Sequence, residues 1–179
     1  MIFNMVYSGN TPTPEPTWDY TIEGHTFTES TLDDIDTGIN PFSSTNIGRN
    51  WEMIINANTE YSSENLSTIG VIYYNDAETT RYSLELGIRP TGLYIYRRGN
   101  LEGPHDKVFA CDPIDKDVRL VKTGTTIGIY CEDTLIDALL MTTTTPTTAN
   151  TILLGRWYGG SGTYHFSGYM NYFKFRFTS

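Results

Sequence analysis

The chain has 179 residues, with 12 Lys and Arg against 21 Asp and Glu, which gives a net charge of −9 and a pI near 4.7. This length fits one domain with a sizeable core. The acidic balance argues against nucleic-acid binding, which requires clustered cations, and against binding to anionic membrane surfaces. No apolar run reaches the roughly 18–20 residues of a membrane helix.

The N-terminal residues differ from the rest of the chain. Met1–Tyr7 is apolar, and Ser8–Pro16 carries prolines at alternate positions, which favour an extended, semi-rigid chain. We interpret residues 1–17 as an arm and a Pro/Thr-rich linker, and residues 18–179 as the domain. The apolar run is short and lacks a basic start, so it is not predicted to be a signal peptide. It is either a disordered start or an arm that adds a strand to a neighbour's sheet and builds a homo- or hetero-oligomer.

From Trp18 onward the pattern is one of short strands separated by turns, and no stretch sustains a helical period. The predicted strands are Tyr20–Glu23, Phe27–Thr31, Trp51–Ala57, Ser67–Tyr74, Arg81–Ile88, Leu93–Arg97, Asp117–Lys122, Thr126–Cys131, Thr134–Leu140, Thr151–Gly155 and Phe166–Phe177. Many short strands at regular spacing predict an all-β fold, a two-sheet antiparallel sandwich or jelly roll.

The last predicted strand has a pronounced alternation. Side chains in a strand point alternately to its two faces. One set is mostly aromatic and is predicted to face the core, namely Tyr169, Asn171, Phe173, Phe175 and Phe177. Lys174 and Arg176 in the other set are predicted to face water. Gly168 marks a bend or bulge at the start of the strand.

Several short motifs occur in an order that is typical of a known family. Thr37–Phe42 precedes the Trp51 strand, Thr126–Asp133 reads as the centre of a meander, and Ile152–Gly155 is followed by the closing strand Phe166–Phe177. In order and spacing these motifs resemble the concanavalin A-like lectin/glucanase superfamily, in its laminin G-like form. The resemblance implies a concanavalin A-like jelly roll. It implies little about function, because this fold serves lectins, glycosidases, adhesion modules and virion proteins.

The carboxylates argue against an enzyme. The glucanase branch of the resembled superfamily carries Glu-x-Asp-x-x-Glu on one strand, which places the acid and the nucleophile on one face. This motif is absent from the sequence, and Glu52 and Glu85 stand singly on outward strand positions. The chain is therefore predicted not to be an enzyme.

The first candidate ligand site is the glycine-rich segment between the last two strands. Sugar recognition uses aromatic rings as platforms and polar groups for hydroxyls. The segment supplies both kinds of group in Arg156, Trp157, Tyr158, Tyr164 and His165. The alternative is that Trp157 caps the core of the sandwich.

The second candidate ligand site is the outward face of Leu93–Arg97. Tyr94 and Tyr96 are predicted to lie on an exposed sheet, with Arg98 nearby and Tyr130 across from them. This face is either a ligand or protein interface, where Tyr and Arg are enriched, or a set of cross-strand aromatic pairs that stabilises the sheet.

Metal and cysteine chemistry have weaker signals. No cofactor is predicted, and the densest carboxylates, Asp112, Asp115 and Asp117, are the candidate ligands if calcium binds. The alternative is solvated acids in a turn. Cys131 is interpreted as a small buried residue, and a disulfide with Cys111 is the alternative in an extracellular protein.

Two functional hypotheses remain. The first is a non-catalytic binding or structural module of an extracellular or virion assembly, such as a phage fibre, a capsid decoration or a surface protein. Such a module would recognise a glycan or a neighbouring protein subunit, and neither nucleic acid nor an inserted membrane is a predicted partner. The second is an ancillary carbohydrate-binding module of a glycan-active enzyme, or the enzyme itself.

Overall fold

A computed structural model describes residues 16–28, 34–58, 67–77, 80–89, 92–98, 106–141, 151–155 and 166–178. Side chains are described at all of these positions except 67–77, 80–83, 89, 96–98 and 106–107. The strands in these ranges are β1 Tyr20–Phe27, β2 Ile35–Asp36, β3 Trp51–Asn58, β4 Ser67–Ala77, β5 Thr80–Arg89, β6 Gly92–Arg98, β7 Asp106–Phe109, β8 Asp117–Thr123, β9 Thr126–Cys131, β10 Thr134–Leu140, β11 Leu153–Leu154 and β12 Gly168–Phe177. The same ranges contain no helix that could cross a membrane.

The strands form two six-stranded antiparallel sheets. Sheet A has the order β1-β12-β3-β8-β9-β10, and sheet B has the order β2-β11-β4-β5-β6-β7. The predicted all-β, two-sheet antiparallel sandwich is confirmed. The closing strand β12 lies inside sheet A, between β1 and β3.

The core lies between the sheets and is built by the predicted alternation. Trp51, Met53 and Ile55 of β3 are at most 1% exposed, as are Leu84 and Leu86 of β5 in the opposing sheet. Burying side chains of this size contributes about 1.5–3 kcal/mol each, which explains why such short strands hold a single arrangement.

One predicted strand boundary differs from the structure, and one strand was not predicted. Phe27 does not begin a strand of its own, because β1 continues through Gly24 and ends at Phe27. Gly24 adopts a positive φ of 64°, which favours glycine and keeps the strand continuous through an irregular position. The short strand β7 was not predicted, because it has only four residues and no apolar alternation.

Strand β12 shows the predicted alternation in only part of its length. Phe173 and Phe175 are fully buried, as predicted. A β-bulge between Met170 and Tyr172 makes Asn171 an extra residue on β12 and reverses the phase on its N-terminal side. Met170 is therefore fully buried and Tyr169 is 45% exposed. The prediction that Tyr169 and Asn171 face the core was wrong.

A disulfide joins the two sheets. Cys111 follows β7 of sheet B, and Cys131 ends β9 of sheet A. The cysteines are bonded, with their Cα atoms 6.5 Å apart, so the disulfide alternative is correct. Because Gly92 has no side chain, the start of β6 can approach the backbone of Phe109. A Cβ at position 92 would lie 1.9 Å from the carbonyl oxygen of Phe109. The backbone N–H of Leu93 donates to the Cys111 carbonyl at 2.9 Å.

Candidate functional site

Each sheet has an outward surface, and the two surfaces differ in chemistry. Outer face A consists of the outward side chains of β12, β3, β8 and β9. In cross-strand rows they are Arg176, Glu52, Val121 and Gly128; then Lys174, Ile54, Arg119 and Tyr130; then Tyr172, Asn56 and Asp117. Outer face B consists of the outward positions of β11, β4, β5 and β6, including Leu153, Val71, Glu85, Tyr94 and Tyr96.

The centre of outer face A is a carboxylate held by two guanidinium groups. Arg176 donates through Nε to Glu52 Oε2 at 2.8 Å and through its second nitrogen to the same oxygen. Arg119 donates to Glu52 Oε1 at 3.4 Å. The Glu52 side chain is only 8% exposed. A carboxylate this buried requires such partners, because an unpaired charge loses its hydration.

Aromatic rings complete this charged cluster. The Arg119 guanidinium lies 4.6 Å from the centre of the Tyr130 ring, and that of Arg176 lies 4.8 Å from the Trp18 ring. Tyr130 lies against Gly128, where a Cβ would be 3.0 Å from the tyrosine ring. Ring and guanidinium contacts of this kind are attractive. The cluster therefore joins β3, β8 and β12 through paired charges and ring contacts, and the buried Nε of Arg119 has no hydrogen-bond partner.

A second network on outer face A surrounds Asp117. Its Oδ1 accepts hydrogen bonds from Asn56 at 2.7 Å and from the hydroxyl of Tyr172. Burial, and then the hydrogen bond and negative charge of Asp117, raise the pKa of Tyr172 to about 12. Tyr172 therefore remains a hydrogen-bond donor throughout the physiological range.

Asp115 holds two asparagines at the end of outer face A. It accepts from Asn58 Nδ2 at 2.8 Å and from Asn171 Nδ2 at 2.9 Å. Its own backbone N–H donates to the Ala57 carbonyl at 3.1 Å, and its φ of 54° turns the chain. Asn171 reaches this position because it is the extra residue of the β12 bulge.

These contacts correct the calcium prediction. The carboxylates of Asp115 and Asp117 face amide and hydroxyl donors, and Asp112 accepts from the backbone N–H of Ile114 at 3.2 Å. No group of three His, Cys, Asp or Glu residues that could hold a metal ion occurs among the described residues. The predicted three-carboxylate cluster of Asp112, Asp115 and Asp117 is therefore not formed.

Outer face B contains the second predicted site, in an altered form. Tyr94 is only 6% exposed, and Tyr130 belongs to sheet A, so the prediction that these two tyrosines share an exposed surface was wrong. Tyr96 lies on β6 in register with Glu85, and Glu85 is in register with Val71 of β4. Val71 in turn is paired with Leu153 of β11. Glu85 is 4% exposed, so this carboxylate is buried on an outward strand position.

The first predicted site begins and ends beside this face. Residues 156–165, which include Arg156, Trp157, Tyr158, Tyr164 and His165, lie outside the described residues. The residues that bound this segment are described: the Phe166 N–H donates to the Gly155 carbonyl at 3.1 Å, and both residues are buried. The segment therefore leaves and re-enters the sandwich at one point. That point directly follows β11, whose Leu153 shares a cross-strand row with Glu85 and Tyr96.

Most of the side-chain contacts on outer face A were not predicted from the sequence. Glu52, Asn56 and Asn58 occupy the alternate positions of the strand whose other face is the apolar set of Trp51. Three polar residues on one face of a strand could have predicted a polar surface there. Their partners Arg119 and Arg176 are distant in sequence, so the pairing required the sheet order.

Comparison with known proteins supports the fold. No protein-family model and no curated protein matches the chain. Among solved structures, the carbohydrate-binding module CBM40 of the Ruminococcus gnavus IT-sialidase, bound to α2,3-sialyllactose, is 18% identical with a TM-score of 0.62, and the match covers 91% of this chain and 95% of that one. The same module bound to α2,6-sialyllactose is 17% identical, with a TM-score of 0.60 and the same coverages.

A second kind of protein shares the architecture. Domains LG4-5 of the mouse laminin α1 chain match with 10% identity and a TM-score of 0.56, over 92% of this chain and 46% of that one. These similarities confirm the concanavalin A-like, laminin G-like β-sandwich that the sequence motifs predict.

Proposed function

We propose that this domain is a non-catalytic glycan-binding module, and that its ligand contacts outer face B and the segment 156–165. The observation that carries the proposal is Glu85, a carboxylate that is 4% exposed on an outward strand position between Val71 and Tyr96. Ligand sites are typically apolar and aromatic surfaces with a few polar groups. The row Leu153, Val71, Glu85 and Tyr96 has this composition.

The topology favours one site rather than two on this sheet. The segment 156–165 starts next to β11, and the row Leu153, Val71, Glu85 and Tyr96 runs from there across four strands. Strands are about 4.8 Å apart, so the row measures about 14 Å, which is within reach of a ten-residue segment with both ends at one edge. The two predicted sites then combine into one.

The residue types of the segment fit a sugar ligand. Trp157, Tyr158 and Tyr164 offer rings for the apolar face of a sugar, and His165 offers a donor for its hydroxyls. Arg156 adds a guanidinium, which binds a carboxylate through two parallel hydrogen bonds. Sialyllactose, the ligand of the structurally similar CBM40, bears a carboxylate. Acidic sugars are therefore the first ligand class to test.

The positions of these two glutamates support a non-catalytic role. Glu52 is engaged by Arg119 and Arg176 on sheet A, whereas Glu85 lies on sheet B. Glycoside hydrolysis requires two carboxylates that flank one bond. Two acids on opposite outer faces of a sandwich cannot do so.

An extracellular location is part of the proposal. The Cys111–Cys131 disulfide joins the sheets. Disulfides persist in oxidising environments and are rare in the cytosol. A secreted or surface-displayed glycan-binding module fits this requirement.

The test is a glycan array that contains both sialylated and neutral oligosaccharides, followed by titration calorimetry on the ligands found. Arg156→Ala and Trp157→Ala are expected to weaken binding by about tenfold or more. Leu135→Ala is the matched control, because Leu135 is 54% exposed on β10 of the other sheet. Unchanged binding by both Arg156→Ala and Trp157→Ala would contradict the proposed site, and no binding by the parent to any glycan would contradict the proposed function.

Contact with a neighbouring subunit is the second candidate function. Strand β10 is an edge of sheet A, and its Leu135 and Leu140 are 54% and 43% exposed. An apolar edge strand is a template for pairing with another chain. A role in a virion, such as a phage fibre or capsid decoration, and an N-terminal arm that docks on a neighbour belong to this hypothesis.

The oligomeric mass tests this second candidate. Light scattering after gel filtration is expected to show an oligomer that dissociates when Leu135 is replaced by Lys, and separately when residues 1–16 are deleted if the arm contributes. A monomeric parent protein would contradict the hypothesis.

A further inference from the structure

A cavity on outer face A is lined by groups that suit an uncharged sugar. It lies where β1 and β3 end and β12 begins, and its volume is about 480 Å³. Its lining comprises Thr26, Phe27, Thr28, Asn58, Ser167, Gly168, Tyr169 and Asn171. The set contains one exposed aromatic ring, two amides and three hydroxyls, and no charged side chain.

Tyr169 provides the apolar surface of this cavity. In the cross-strand row Thr26, Tyr169 and Asn58, all three side chains point outward, because the bulge at Asn171 reverses the phase of β12. The Tyr169 hydroxyl lies over Gly24 of β1, where a Cβ would be 2.8 Å from it. The ring therefore extends from β12 across to β1, lies along the sheet, and is 45% exposed.

Asn58 and Asn171 provide the polar groups, and their orientations are fixed. A carboxylate only accepts hydrogen bonds, so Asp115 requires that both amide nitrogens point toward it. Asn171 uses its two N–H groups on Asp115 and on Asn56 Oδ1 at 2.7 Å. Its own Oδ1 remains as an acceptor. Asn58 keeps its Oδ1 and one N–H for a ligand.

We propose that this cavity is a separate binding site for a neutral sugar ring, which stacks on Tyr169 and hydrogen-bonds to Asn58 and Asn171. The volume falls within the range of small-molecule sites. Amide groups that are already held in place lose little freedom on binding, so they favour a ligand that offers both donors and acceptors. Vicinal hydroxyls have this property, and a carboxylated sugar would meet Asp115 and be repelled.

Asp115 acts here as a positioning residue. It does not line the cavity, but it orients both amides that do. Its role explains a carboxylate that the sequence suggested for calcium. The cavity is separate from outer face B, so an experiment can disprove binding at one of the two sites and leave the other proposal standing.

The test is an NMR titration of the protein with lactose, maltotriose and xylotriose at millimolar concentrations, observing the side-chain amides of Asn58 and Asn171. At least one probe is expected to shift both amide signals. Tyr169→Ala should weaken this binding by about tenfold, and Tyr169→Phe should retain it because the ring remains. Asp115→Ala should also weaken the binding, and the side-chain amides of Asn58 and Asn171 should become more mobile.

Two controls make the outcome decisive. Trp157→Ala should leave the shifts unchanged, which separates this cavity from the site proposed on outer face B. The backbone spectrum of Tyr169→Ala should match that of the parent, because Tyr169 is a half-exposed residue at the end of a strand. Shifts that persist in Tyr169→Ala, or the absence of shifts with all three probes, would overturn the proposal.

Discussion

The two outer faces each bury a glutamate on an outward strand position, and the surroundings of the two carboxylates differ. Glu52 on outer face A is bound by Arg119 and Arg176, which are themselves stacked on Tyr130 and Trp18. Glu85 on outer face B lies in a row with Leu153, Val71 and Tyr96, which contains no cation. Glu52 is thus paired with cations of its own sheet, whereas the residues in register with Glu85 are apolar or aromatic.

This difference separates stability from recognition. A carboxylate that is neutralised within its own sheet fixes strand register and leaves little for a ligand to gain. A carboxylate in a row of apolar and aromatic residues matches the composition of a ligand site, and the segment that starts beside β11 carries Arg156. We therefore expect substitutions on the two faces to have different consequences.

The largest effect is expected from removing the disulfide that holds the two faces together. The cysteines are 20 residues apart in sequence. Closing a loop of this length in the unfolded chain corresponds to about 3 kcal/mol of stability. The double variant Cys111→Ala/Cys131→Ala should lose about this much in urea unfolding. Reduction of the parent protein should give the same loss, and a parent insensitive to reductant would contradict it.

The next effect concerns the charge cluster on outer face A. Glu52→Ala leaves two guanidinium groups without their carboxylate, and should cost about 2 kcal/mol in the free energy of unfolding, less than a fully buried pair because both arginines are partly exposed. Glu23→Ala on β1 is the matched control, since Glu23 is exposed and should change stability little. Equal losses in the two variants would show that Glu52 is an ordinary surface acid.

A matched pair of isosteric variants separates the roles of Glu85 and Glu52. Glu85→Gln should weaken glycan binding by about tenfold, because a charge-assisted hydrogen bond contributes about 1.5–3 kcal/mol. Glu52→Gln should leave glycan binding unchanged and lower the stability instead. Calorimetric titration of both variants with the ligand found on the array measures this, and the reverse pattern would move the site to outer face A.

The smallest effect is a pH dependence on outer face A. The pKa of Tyr172 is raised from 10 to about 12, so the unfolded state releases this proton at lower pH than the folded state. The corresponding stability is fully present below pH 10 and is lost as the pH rises toward 12. Tyr172→Phe should remove this loss in thermal unfolding measured across that range.

A second group titrates in the opposite sense and must be allowed for. Burial lowers the pKa of Lys122, whose Nζ donates to the Arg49 carbonyl at 2.8 Å. A lowered lysine pKa makes stability rise as the pH approaches 10.5. Subtracting the Tyr172→Phe profile from that of the parent protein isolates the tyrosine. A match between the Tyr172→Phe profile and that of the parent would rule out the coupling to Asp117.

The sequence predicted the architecture well and the surfaces poorly, for a physical reason. Strand alternation is a local property, so Trp51, Met53 and Ile55 could be assigned to the core from one stretch of chain. Outer-face contacts join residues far apart in sequence, such as Glu52 and Arg176. They depend on the strand order, which alternation does not reveal. The family resemblance indicated the type of sandwich but not which side chains meet.

Two errors in the sequence analysis illustrate this limit. Asp115 and Asp117 were grouped because they are two residues apart on one side of the chain. In the folded protein they serve different amide networks, one with Asn58 and one with Asn56. Tyr94 and Tyr130 were predicted to lie across from each other, yet they belong to opposite sheets. The sequence showed that these groups were polar or aromatic, and only the topology showed their neighbours.

The bulge at Asn171 could be lost during evolution without loss of the core. Met170 pairs with Ala57 and Tyr172 pairs with Asn56, and only Asn171 lies between them without a partner of its own on β3. Deleting Asn171 would therefore make the ladder with β3 regular and leave Met170 buried and Tyr169 outside. It would, however, remove the amide that donates to Asp115. An alignment with a relative that lacks the bulge needs a gap at Asn171 to match core residues with core residues.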